Sequence, residues 1–433
     1  MSVKKHTIWN IAGSAVPLAF AAALIPYTLD NLGSGGFGVL TLVWASIGYF
    51  SLFDMGIGRA LTFEVSKRIA DDQPLTIKPM LLAGLMLTAL AGALGAVVLL
   101  IIAPLLAHHW LKIAEPMQAS ALLSFQITAI GVLATTLSSG IRGALEGMQR
   151  FDLSNLNKIA LGLCTFALPA LAIWIHGPSL PIICTYLVVA RLVIAAAIAM
   201  PLLPILKGPG EPFSRAHMRP LFNYGFWLTV TGIVGPLMVY GDRFFVSAAF
   251  GVAELPIYSI PQEGLQKLLI VPAALCGALL PRLTGAASDE RALAYRRTLK
   301  RIGLGMFAMC AVTCVLAHPI LSVWLNPAFA DKAMPIVFIL AVGIWTNSMA
   351  MAPYMLLHAM GRPRITAIFH VFELIVYAAA LWWLVKHWGL AGAAMAWVLR
   401  ATLDLILLDQ AARRALRETR GTVVEPPLAA NTQ

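Results

Sequence analysis

The chain has 433 residues, of which 59% are hydrophobic and only 12% charged. Soluble domains run at about 25% charged and about 45–50% apolar, so a water-exposed surface is excluded, and with it a soluble enzyme or a nucleic-acid binder. A mean hydropathy of +0.81 points to lipid as the solvent, and at about 20 residues per span twelve helices with short connectors use nearly the whole length.

In chain order the expected spans are 8–29, 37–63, 79–105, 118–144, 153–175, 178–204, 221–250, 256–284, 299–320, 333–358, 364–385 and 389–410. Lys4 and Lys5 place the N-terminus in the cytoplasm, and an even number of spans returns Arg413, Arg414, Arg417 and Arg420 to that side. Only Lys112, Lys332 and Lys386 fall in outer connectors, so the net charge of +11 reads as positive-inside bias rather than as an acidic partner. The first run follows two lysines like a signal peptide, but it is of spanning length and eleven more follow, so it is read as a retained helix. Cys164, Cys184, Cys276, Cys310 and Cys314 lie in apolar stretches without CxxC or zinc spacing and are expected to be buried, inert thiols.

The chain looks doubled. Phe37-Gly38 after the first span matches Phe250-Gly251 after the seventh, and Gly147-Met148-Gln149-Arg150 after the fourth matches Met360-Gly361-Arg362 after the tenth. The charged stretches before spans three and nine keep the same offset. Six helices per half put both halves in one orientation, with a pseudo-two-fold axis along the membrane normal. The expected fold is therefore all-α and polytopic: a six-helix bundle over 1–206, a cytoplasmic linker at 207–219, a second six-helix bundle over 220–410 and a cytoplasmic tail at 411–433. Two facing bundles with a cleft between them are the architecture of an alternating-access transporter.

Catalysis finds no support. No outer connector is long enough for an extramembrane domain, and GxxxxGK[ST], HExxH and GxSxG are all missing. No cofactor is expected. Gly33-Ser34-Gly35-Gly36-Phe37-Gly38 satisfies GxGxxG on paper, with Asp54 about 20 residues on. Nucleotide binding needs a strand before that motif, and here a membrane span precedes it, so a tight turn between helices is the better reading.

Ionisable residues inside spans carry the functional information, because each costs at least ~2.5–3.5 kcal/mol at a helix centre. Asp242 and Arg243 before the turn near Ala253, and Glu263 after it, are expected at one membrane depth. Glu263 and Lys267 have the i,i+4 order that favours an intrahelical pair, between Pro261 and Pro272. These four residues either line a polar cavity or neutralise one another as a clamp. Arg191 is near midplane with no acid within a turn on its own helix; it either binds an anion or pairs with Glu373, which has His370 one turn away. Arg400 and Asp404 repeat the i,i+4 spacing as a local pair or a site. Arg59 is expected near the cytoplasmic interface, as a phosphate contact or as an ordinary snorkelling anchor. Tyr49, Tyr240, Tyr258, Trp345 and Tyr354 suit sugar rings, though packing explains any one of them.

Taken together, Leu32-Gly33 through Phe37-Gly38, Asp54-Met55-Gly56, Glu146 through Arg150, Asp242-Arg243 leading to Phe250-Gly251 and Tyr258, Leu280-Pro281-Arg282-Leu283 and Met360-Gly361-Arg362-Pro363 resemble the polysaccharide flippase family. That family belongs to the multidrug/oligosaccharidyl-lipid/polysaccharide exporter superfamily. The resemblance implies a multi-pass protein of the bacterial inner membrane that moves undecaprenyl-pyrophosphate-linked oligosaccharide to the periplasmic leaflet, with a proton or sodium ion as coupling partner and other polysaccharide assembly proteins nearby. On that basis Arg59, Arg191, Arg243 and Lys267 are candidates for holding the pyrophosphate, and Asp242, Glu263 and Glu373 for ion coupling. Span 8–29 has no charge, which favours O-antigen or exopolysaccharide units over lipid II. An ion-coupled multidrug extruder of the same superfamily is the alternative, and a glycan polymerase or ligase is a third reading that the short outer connectors disfavour.

Overall fold

The computed structural model describes residues 3–50, 56–276 and 288–421, and within them the chain is helical with no strand. The helices are α1 (Val3–Phe50), α2 (Ile57–Ala70), α3 (Ile77–Leu105), α4 (Glu115–Gly147), α5 (Phe151–His176), α6 (Leu180–Ala199), the short α7 (Leu203–Lys207), α8 (Met218–Phe250), α9 (Leu255–Gln266), α10 (Ser288–Trp324), α11 (Pro327–Ala359) and α12 (Pro363–Gly421). The motif residues Asp54-Met55 and Leu280 to Leu283 lie outside the described residues.

Eight helical stretches among the described residues are long and apolar enough to cross a bilayer. Their outer faces are what lipid selects: Ile101 is 71% exposed, Trp174 76% and Val323 90%, an arrangement water would penalise. The protein is an all-α, multi-pass membrane protein.

Two helices each carry two expected spans. In α1 the helix breaks only at Gly33 (φ 66, ψ 170), so the turn expected over Gly33 to Gly38 shrinks to one residue. In α12 the break between spans eleven and twelve is again one glycine, Gly389 (φ 60, ψ −140). Left-handed backbone of this kind is cheap only without a Cβ. A different break falls in span eight. Between Pro261 and Pro272, α9 stops at Gln266, a 3₁₀ turn covers Lys267–Leu269, and helix resumes over 270–276.

The chain divides into two compact units, Met1–Pro256 and Ile257–Gln433. This division lies beyond the 207–219 stretch because α8 packs on α1, α2 and α3 inside the first unit. There α3 and α4 approach through small residues: a Cβ on Gly92 would sit 2.0 Å from Thr136 Oγ1, and one on Gly143 would sit 2.1 Å from the Gly58 carbonyl oxygen of α2. Lipid tails are as apolar as leucine, so close backbone approach and dispersion, rather than the hydrophobic effect, hold such helices together. In the second unit α11 lies between α10 and both halves of α12.

Candidate functional site

Each unit buries a polar cluster. In the first, α6 carries Arg191, 7% exposed, whose Nη1 donates to the Leu187 carbonyl one turn back at 3.0 Å. The thiols of Cys164 and Cys184 lie nearby, and no carboxylate among the described residues forms an ion pair with it. On α4, Ser124 and Thr128 bond back to their own helix, with Ser124 Oγ donating to the Ser120 carbonyl and Thr128 Oγ1 to that of Ser124. Glu373, the acid weighed as a partner for Arg191, belongs to the second unit and to a cluster of its own.

Asp242 (0% exposed) and Arg243 (2%) are both buried on α8. The Arg243 guanidinium stands over the Tyr240 ring, 5.4 Å from its centre. Gly48 of α1 allows that ring in, since a Cβ there would lie 3.2 Å from Tyr240 Cζ. A cation over an aromatic face in a dry interior keeps its charge at lower cost. Arg59, one turn into α2, is exposed. Glu263 is half-buried on α9, and Lys267 is exposed on the 3₁₀ turn that touches α11.

The second unit gathers His370, Glu373 and Asp404, whose ligand-capable atoms all lie within 4.8 Å of one another. His370 Nε2 is 3.9 Å from Asp404 Oδ1. Glu373 is fully buried beside the Asp404 carboxyl, and no donor group among the described residues reaches either of its oxygens or Asp404 Oδ1. The expected Arg400–Asp404 pair is not formed. Arg400 turns instead to Asn347 (Nη2 to Oδ1, 3.4 Å) and to the Trp397 ring at 5.4 Å, while Asp404 faces His370. The break at Gly389 brings spans eleven and twelve side by side, and this sets Asp404 against Glu373. Three such groups would suffice for a metal ion, but the fixed charge of Arg400 beside them disfavours a divalent one, so no metal is assigned.

Sequence reasoning missed Asn157 on α5. It is 1% exposed, and neither its amide oxygen nor its nitrogen has a hydrogen-bond partner among the described residues. An uncharged amide does not stand out among polar residues at a span's end, and its isolation is visible only after packing.

Against known proteins, the family model of polysaccharide biosynthesis proteins matches residues 3–286. A Shigella flexneri protein named as an O-antigen transporter is 30% identical over 413 residues, covering 94% of this chain and 97% of that protein. Among solved structures, an inward-facing multidrug resistance MATE family transporter of the MOP superfamily superposes with a TM-score of 0.79 at 14% identity, covering 98% of this chain and 97% of that one. A MOP superfamily transporter from Pyrococcus furiosus, described by a binding pocket of reverse polarity, gives 0.68 at 14% identity and 95% of both chains. At that identity the structures speak for the fold alone, whereas the family match and the Shigella relative speak for descent: the chain belongs to the polysaccharide biosynthesis protein family.

Proposed function

We propose that this protein is a flippase that carries undecaprenyl-pyrophosphate-linked oligosaccharide units from the cytoplasmic to the periplasmic leaflet of the bacterial inner membrane, by alternating access of two six-helix bundles, with both termini in the cytoplasm. The observation that carries the reading is Arg191, a buried guanidinium with a backbone carbonyl as its hydrogen-bond partner. A pyrophosphate supplies the countercharge such a group lacks, and the guanidinium fork matches phosphate oxygens in pairs. Arg243 adds a second buried cation, while the exposed Arg59 and Lys267 suit first capture and hand-over. The name of the Shigella relative supports the cargo class. Asp242, Glu263 and Glu373 are the acids proposed for coupling to a proton or sodium gradient, and partner proteins of polysaccharide assembly would supply and remove the cargo.

A multidrug extruder is the second reading, favoured by the buried carboxyls Glu373 and Asp404. The two separate in proteoliposomes loaded with a defined lipid-linked oligosaccharide: flipping that needs Arg191 supports the first, and export of cationic dyes without flipping supports the second.

A further inference from the structure

The polar side chains of the second unit form a continuous seam. On α12, Thr366, His370, Glu373 and Tyr377 recur at i, i+4, i+7 and i+11, which is one face of the helix. On α11, Asn347, Tyr354 and His358 recur at i, i+7 and i+11. The seam starts beside the Met360–Arg362 turn, where His358 Nε2 lies 3.2 Å from Thr366 Oγ1. The Tyr354 ring then stands between two imidazoles, 4.2 Å from His358 and stacked at 8° on His370 with centres 6.1 Å apart. His370 in turn is 3.9 Å from Asp404, and Asp404 adjoins Glu373.

Charge counting says what this seam holds. Arg400 supplies one fixed positive charge beside two buried carboxyl groups. With both ionised the pocket carries an uncompensated negative charge in an apolar interior, which is strongly disfavoured. With one proton between them it is neutral. The fully buried Glu373, which adjoins the Asp404 carboxyl and is reached by no donor group among the described residues, is the group such a proton would occupy. The neighbours that could alter this count are few. Between Arg301 and His318, α10 carries no acid or base other than the thiols of Cys310 and Cys314, Lys267 on the turn touching α11 is exposed, and Tyr377 is a buried phenol on the seam itself.

We propose that Glu373 and Asp404 hold one exchangeable proton, and that His370, Thr366 and His358 form its route to the end of the unit bearing the Met360–Arg362 turn. A proton leaving the pair is accepted by neutral His370, which becomes an imidazolium. Water and the Thr366 hydroxyl pass it on to His358, and from there it reaches bulk solvent. Tyr354 holds the two imidazoles in file. The proposal rests on the transporter reading and names its coupling ion as the proton, with the face it exchanges with as the cytoplasmic one.

Dicyclohexylcarbodiimide, which attacks protonated carboxyls in apolar surroundings, tests this on the full chain in sealed vesicles of either orientation, with the modified residue located by mass spectrometry. Labelling is expected at Glu373 or Asp404, falling as pH is raised on the Met360–Arg362 side and indifferent to pH on the other. His358→Gln is expected to slow the response to a pH step several-fold while leaving the final extent unchanged, and Glu373→Gln to abolish labelling at that position. Labelling that follows the opposite side, or ignores pH on both, overturns the proposal. Protection by sodium or potassium chloride at constant pH, where choline chloride gives none, overturns it in favour of an alkali cation. Because this readout involves no glycan, it stands whether or not the same vesicles flip a lipid-linked oligosaccharide, so failure of the flippase reading is seen separately.

Discussion

Gln149 and Gly361, 212 residues apart, occupy the same left-handed position in the same turn, with φ of 64° and 70°. The hydrogen bonds around them match one for one: Met148, Gln149 and Arg150 donate to Ala144, Glu146 and Leu145, as Met360, Gly361 and Arg362 donate to Leu356, His358 and Leu357. The internal repeat seen as a spacing in the sequence is thus also a repeat of backbone geometry. One copy uses the residue suited to it and the other does not.

Substitutions there should have opposite signs. Gly361→Gln is expected to destabilise by about 1 kcal/mol, from backbone strain alone, since a Cβ at Gly361 meets nothing within 4 Å. Gln149→Gly is expected to be neutral or to stabilise by up to about 1 kcal/mol, the gain in φ freedom being partly offset by the looser unfolded chain. Unfolding midpoints of the purified protein in detergent check both, and a loss of equal size at both positions would contradict the equivalence.

Arg191→Ala and Lys267→Ala are each expected to abolish surface glycan with normal amounts of protein in the membrane. Arg191→Lys keeps the charge but loses the planar fork, so a small part of the glycan should return. Glycan staining beside quantitative immunoblotting of membranes measures this, and normal export by both alanine variants would refute the anion-binding role.

The α2–α3–α4 contact should be intolerant of a single methyl group. Gly92→Ala and Gly143→Ala place a Cβ 2.0 Å from Thr136 Oγ1 and 2.1 Å from the Gly58 carbonyl oxygen, and overpacking of this kind costs typically about 1–3 kcal/mol. Lower unfolding midpoints and reduced membrane levels are expected. An unchanged midpoint would mean that the helices separate easily and that this close approach does not hold them together.

Asn157→Leu removes a buried amide that lacks a partner among the described residues. Unsatisfied polar groups cost about 1–3 kcal/mol, so the variant should unfold at a higher temperature. A lower midpoint would show that the amide is satisfied in the membrane by water.

The fold was legible because hydropathy is a sum over some twenty residues, and a stray polar group does not erase it. His370 and Glu373 were legible as a pair because three residues on a helix is a local distance. Asp404 as their neighbour was not, since that depends on how two spans fold together about Gly389. The i,i+4 rule pointed Arg400 at Asp404, but Asn347 and Trp397, brought up by α11 and by the preceding turn of α12, hold the guanidinium instead. The 3₁₀ turn that replaces α-helix at Lys267 has no signature of its own in the residue types.

The single-glycine breaks at Gly33 and Gly389 have a mechanical consequence. A span pair joined by a loop can let one helix tilt while the loop absorbs the difference. A pair joined by one residue has no slack, so a tilt imposed on Glu373 and its helix is carried through the joint to Asp404 and its helix. Each such hairpin then works as a single lever, and whatever sets the charge state at one of its arms acts on the angle of both.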